Sequence, residues 1–205
     1  MGSEHSVHQD PQALTLTITA EFDAPIGRVW ELWENPRQLE RWWGPPTYPA
    51  TVVDHDLTPG GRVTYFMTGP EGDQAGGWWR VLAVDAPRHL ELEDGFADAA
   101  GTPNPDMPTM TIRVALHDQP AGGTRMSIET TFPSLEAMEQ IISMGMEEGM
   151  ASAIGQIDEV LRTGVTPRQR SFAPQARPRQ RLTARSSSRL LIEERPRTFL
   201  RFASS

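Results

Sequence analysis

The chain has 205 residues, a formal net charge of −8 and no cysteine. The lack of cysteine excludes disulfides, zinc–thiolate sites and cysteine nucleophiles, and fits a cytoplasmic setting. All nineteen basic residues are arginine, unevenly placed: residues 1–164 carry nine Arg against twenty-five acids, and residues 165–205 carry ten Arg and two Glu. An acidic body repels phosphates, so no nucleic-acid surface is expected on the main domain. No apolar run approaches the ~20 residues that cross a bilayer, and the opening MGSEHSVHQDPQ has no apolar signal-peptide core.

Residues 1–12 are polar and expected to be disordered. From Ala13 to Phe22 the sequence alternates, with Leu14, Leu16, Ile18 and Ala20 on one side and threonines on the other, which predicts a half-buried strand. Pro25 suits a helix start, and Ile26, Val29, Trp30 and Trp33 give that helix its apolar stripe. Asn35 can cap a second short helix over Pro36–Trp42, which Gly44-Pro45-Pro46 stops. Strands are then predicted at 51–57, 62–68, 77–84, 89–93, 109–116 and 124–132, separated by Gly-, Pro- and Asp-rich turns. Sequential strands with short turns imply an antiparallel meander.

Residues 134–164 read as one long amphipathic helix. Met138, Ile142, Gly145, Met146, Gly149, Met150, Ala153, Ile157 and Leu161 fall on one face; Ser134 is the expected N-cap and Gly164 the stop. Gly145 and Gly149 each cost about 1 kcal/mol of helix propensity. Either they let a sheet approach the helix backbone closely, or they leave a cavity lined by adaptable methionines. After the helix, residues 164–205 are rich in Arg, Pro and Ser and have too few large apolar residues to fold alone.

Few residues point to a defined chemistry. The five histidines have no metal-site spacing, no G-x-S-x-G elbow is present, and the Gly-rich turns lack the Lys-Ser/Thr of a phosphate loop. We therefore expect no metal and no cofactor, and name no catalytic residue. His55, sharing a face with Val53 and Leu57, and Tyr65, sharing one with Val63 and Met67, are either hydrogen-bonded core groups or acid–base groups in a cavity. Arg80 alternates with Trp78 and Leu82; it either faces solvent or faces inward against Glu91, Glu93 or a ligand carboxylate.

Several ordered motifs resemble one family. APIGRVWELWENPRQLERWWGPP at 24–46, DLTPGGRVTYFM at 56–67, VLAVDAPRHLELED at 81–94, GGTRMSIETTFPS at 122–134 and GMEEGM at 145–150 are similar to the heat-shock protein 90 ATPase activator-like family of the START-like (SRPBCC, pollen-allergen-like) superfamily. One position departs: Met150 stands where the family often has Trp. The resemblance spans about residues 13–163 and implies an α+β helix-grip fold. In that fold a seven-stranded curved antiparallel sheet wraps a long C-terminal helix over a deep cavity, with two short helices after the first strand. The expected cavity lining is Trp33, Trp43, His55, Tyr65, Trp78, Arg80, Met110, Gly145, Met146, Gly149 and Met150. The implied partner is a small apolar or aromatic molecule. Two alternatives stand beside it: a chaperone-linked or regulatory domain with a protein partner, and an enzyme of the polyketide cyclase/dehydratase kind. The oligomeric state is not legible.

Overall fold

The structure, a computed structural model, describes residues 5–98, 100–120 and 122–163. Strands β1 (His5–Asp10) and β2 (Thr15–Phe22) form a hairpin. Helices α1 (Ile26–Glu34) and α2 (Pro36–Leu39) follow, then strands β3 (Ala50–His55), β4 (Arg62–Thr68), β5 (Gln74–Asp85), β6 (His89–Ala97), β7 (Met110–Asp118) and β8 (Thr124–Thr131). Three helices close the described chain: α3 (Leu135–Ser143), α4 (Met146–Ile154) and α5 (Ile157–Thr163). All strands join one antiparallel sheet in the order β1-β2-β8-β7-β6-β5-β4-β3. The α+β helix-grip architecture is thus present, and residues 164–205 lie outside the described part.

The sheet has eight strands, one more than the alternation pattern predicts. Within the stretch 1–12, expected to be disordered, residues 5–10 form β1, which pairs with β2 from His5↔Ala20 to Asp10↔Thr15; residues 1–4 lie outside the described part. Only Val7 and Asp10 of this strand are even half-buried. Backbone pairing holds it, so it carries no hydrophobic alternation to read.

The expected single helix over 134–164 is instead three segments. Ser134 caps α3 as foreseen, its hydroxyl accepting the Ala137 N–H at 3.1 Å. Gly145 then takes φ +88°, a left-handed conformation at the start of α4, and Gly155 closes α4. The inward stripe is buried at its two ends, through Ala137, Met138 and Ile141 in α3 and Ala153, Ile154, Ile157 and Val160 in α4 and α5, and half-buried between them.

The short helices anchor one end of the grip. Asn35 accepts the Arg37 N–H at 2.9 Å and caps α2. The Trp42 indole donates to the Leu32 carbonyl at 3.1 Å, fastening the tight turn after α2 to α1. Gln156, between α4 and α5, donates its amide to the Gly44 carbonyl at 2.8 Å, which ties the closing helices to the Trp42–Trp43 turn.

Candidate functional site

Strand parity determines which side chains enter the interior. On β4, Val63 and Tyr65 are buried; on β5, Gly77, Trp79 and Val81 are. On β6 the inward set is Leu90, Leu92, Asp94 and Phe96, and on β7 it is Met110, Ile112, Val114 and Leu116. Registers Tyr65↔Gly77, Trp79↔Asp94 and Asp94↔Met110 line these groups up across four strands.

The Tyr65 ring lies over Gly77, so that any Cβ at 77 would collide with it. Trp33, Trp42, Trp43 and Trp79 pack edge-on or tilted against one another with centroids 4.9–6.2 Å apart, and Trp43 and Trp79 also contact the Tyr65 ring. Such aromatic pairs add to simple area burial.

One carboxylate sits among these rings. The Trp79 Nε1–H donates to Asp94 Oδ1 at 2.8 Å, and the Tyr65 hydroxyl lies 3.5 Å from the same oxygen. Burial pushes the Asp94 carboxyl up to about 7, against the opposing pull of the two donors. Burial, then the nearby Asp94 charge, pushes the Tyr65 phenol well above its ordinary range, while the Trp43 and Trp79 N–H groups act the other way. The Trp43 N–H falls short of full hydrogen-bond geometry: Trp43 Nε1 and Trp33 Nε1 are both buried without a partner.

The interior is divided at this point. One apolar cluster holds the tryptophans with Val81, Leu92, Ile154 and Ile157; a second holds Leu16, Met110, Phe132, Met138 and Ile141. Asp94 stands between them: Leu92 before it and Trp79 beside it belong to the first, and Phe96 after it and Met110 beside it to the second. On the helix side the changeover falls between Met150, packed on the first cluster, and Met146, packed on the second. Gly149 lies there, on the face of Met146 and Ala153, and a Cβ built on it meets no heavy atom within 4 Å. Close sheet–helix contact is therefore not the reason for this glycine, and open space adjoins it. The same test finds open space at Gly145, whose positive φ accounts for it as a helix break.

Of the residues expected in the cavity, Trp33, Trp43, Tyr65, Met110, Met146, Gly149 and Met150 border the two clusters. Two expectations are corrected. Trp78 and Arg80 are in the opposite phase from Trp79: Trp78 lies over Gly95 on the outer face, and Arg80 is exposed and paired with Glu93 at 2.7 Å. His55 faces inward, but not through the parity expected. A bulge between Val52 and Asp54 turns Val53 out to 62% exposure and leaves His55 opposite buried Val63. The His55 Nε2–H donates to the Trp33 carbonyl at 3.0 Å, so His55 braces α1 and does not join Tyr65 and Asp94. Sequence reasoning missed Asp94 and chose Trp78 over Trp79 for the cavity lining. Both were detectable, since Asp94 keeps the phase of Leu90 and Leu92, and Trp79 that of Val81.

Two hollows lie elsewhere, the first of them with Tyr65 in its lining. One of about 560 Å³ lies on the outer face beneath residues 100–103, with Arg62, Thr64 and Phe66 in its wall; one of about 690 Å³ lies between Asp23–Ala24 and Gly155–Arg162. Asp94, Trp43 and Gly149 line neither. No described helix is long and apolar enough to cross a membrane.

Comparison with known proteins agrees with this architecture. Residues 23–162 match the family described as "Activator of Hsp90 ATPase homolog 1-like protein". Protein Ms6760 from Mycobacterium smegmatis is similar at 51% identity and TM-score 0.72, over 80% of this chain and 99% of that one. A solution structure from Arthrobacter aurescens is similar at 49% identity and TM-score 0.74, over 82% and 96%. One from Staphylococcus epidermidis stands at 29% identity and TM-score 0.67, over 78% and 96%. Curated proteins yield no match.

Proposed function

Because the chain belongs to the Activator of Hsp90 ATPase homolog 1-like family, with its helix-grip fold, we propose that it binds a small apolar or aromatic molecule between the sheet and α4. The observation that carries this is the divided interior. Two apolar clusters flank a half-buried carboxylate on β6, and on the helix side their changeover carries a glycine with open space at its Cβ position. Apolar walls with a small number of fixed polar groups are the usual make-up of a small-molecule pocket. Trp33, Trp43, Trp79, Tyr65 and Met150 supply one wall, Met110 and Met146 the other.

A catalytic role has weaker support. A cyclase-like acid–base pair would use Tyr65 and Asp94, but His55 is held by the Trp33 carbonyl and is absent from that pair. For a protein-docking role, the large exposed apolar residues Val53, Leu82, Leu135 and Met144 lie at separate places on the sheet and helices.

The test is titration with N-phenyl-1-naphthylamine, a neutral probe that brightens in apolar surroundings, followed by native mass spectrometry of the purified chain. Saturable one-to-one binding that quenches tryptophan emission is expected. Absence of saturable binding by probe and by any co-purified molecule would refute the proposal.

A further inference from the structure

Resting on the pocket reading above, we infer that the pocket selects a ligand bearing a neutral hydroxyl, a phenol or an alcohol, seated on Trp43 Nε1, the Tyr65 hydroxyl and Asp94. Three features of the seam point there. First, the Trp43 indole N–H is an unpartnered donor on a side chain only 4% exposed, and it lies beside the Tyr65 hydroxyl. A buried N–H left unpaired costs about as much as a lost hydrogen bond, so an acceptor is called for. Second, the Tyr65 hydroxyl is only loosely engaged, 3.5 Å from Asp94 Oδ1, and can donate or accept. Third, Asp94 Oδ1 is already occupied by the Trp79 N–H, while its other oxygen has no described hydrogen-bond donor.

The ligand atom that suits this set must accept from Trp43 and donate to Asp94. A hydroxyl does both. A ketone or ether accepts but has nothing for the carboxylate. A ligand carboxylate would sit against Asp94, and two like charges in a desolvated site disfavour each other. The ligand's ring or chain would then run toward the Met110 and Met146 side, away from the tryptophans that already fill the other half.

The experiment separates this inference from the pocket reading by holding the ring constant. Naphthalene, 2-naphthol and 2-naphthoate are competed against N-phenyl-1-naphthylamine at pH 7.5. The expected order has 2-naphthol about tenfold tighter than naphthalene, the gain from one or two buried hydrogen bonds, and 2-naphthoate weakest. Tyr65→Phe and Trp43→Phe should each narrow the gap between 2-naphthol and naphthalene, read as the ratio of the two affinities within each variant. Tyr65→Phe keeps the ring over Gly77 and serves if Trp43→Phe does not fold. Equal binding of naphthalene and 2-naphthol overturns the inference and leaves the pocket intact, with an ordered water as the partner of Trp43. Tightest binding by 2-naphthoate overturns it in favour of an anion site. No competition by any of the three overturns the inference and the pocket together.

Discussion

Asp94→Asn is the most informative single change, because the structure gives both its sign and its ceiling. The carboxyl rises from 3.8 to about 7 on folding, mainly through burial. A carboxyl with a raised folded-state pKa favours folding while protonated. Its contribution is complete below about pH 4 and is lost as the pH climbs to about 7. Each pKa unit corresponds to about 1.4 kcal/mol, so the whole loss is at most about 4 kcal/mol, and partial exposure of Asp94 reduces it to about half. Asparagine has nearly the same shape, keeps an acceptor for the Trp79 N–H and carries no charge. The variant should therefore be about 2–4 kcal/mol more stable than the parent at pH 8 and within about 0.5 kcal/mol of it at pH 4. Urea unfolding at four or five pH values, followed by tryptophan emission, measures this directly. A stability difference that does not change between pH 4 and pH 8, or a variant destabilised at pH 8, would show that Asp94 is not a desolvated carboxylate.

Other expectations follow from the glycines and the tail. Gly149→Leu should fold at least as well as the parent, since it meets open space and removes a helix glycine costing up to about 1 kcal/mol, while weakening probe binding; a drop in melting temperature would put packed atoms where we place the pocket. Gly145→Ala should cost about 1–2 kcal/mol in denaturant titration, because alanine resists the left-handed backbone at φ +88°. Gly77→Ala should lower stability by about 1–3 kcal/mol by pushing the Tyr65 ring off its seat, an effect that Tyr65→Ala in the same chain should partly relieve. We further propose that residues 165–205 are dispensable for folding of the domain, so truncation at Gly164 should leave the melting temperature within a few degrees in a thermal melt.

The helix-grip order was legible because the strands of β2, β7 and β8 alternate cleanly and the turns between strands are marked by Gly and Pro. What escaped did so for physical reasons specific to each place. In Trp78-Trp79 both phases of β5 offer an indole, and a register shift between Val81 and Ala83 blurs the alternation beyond. The deciding feature was Arg80, a side chain that sits more easily beside Glu93 in solvent than among apolar rings. At β3 a bulge reverses the parity between Val53 and His55, and no residue there advertises it. The Asp94-Gly95 pair reads as a turn, yet Gly95 continues the strand because Trp78 needs the space above it. In the closing helix, the face periodicity survives the break at Gly145, so a left-handed residue looked like a mere propensity cost.

The placement of Asp94 also bears on why the interior is built as it is. Among tryptophans and methionines, an apolar residue of similar volume would pack there without a desolvation penalty; replacing buried ionic groups by well-packed apolar ones is often neutral or stabilising. Stability alone therefore does not explain a carboxylate at the junction of two clusters, least of all one whose cost grows across neutral pH. Nor does local hydrogen bonding: the Trp79 N–H could remain at a polar edge, as Trp42 does with a backbone carbonyl. A group that lowers stability and still sits beside an unpartnered donor on Trp43, a loosely held hydroxyl on Tyr65 and open space under Gly149 is better explained by what enters the seam than by the fold. On that view the loss of stability and the capacity to bind a polar atom share one source, and Asp94→Asn should move both, raising the first at pH 8 while changing the preference among neutral, hydroxylated and anionic rings.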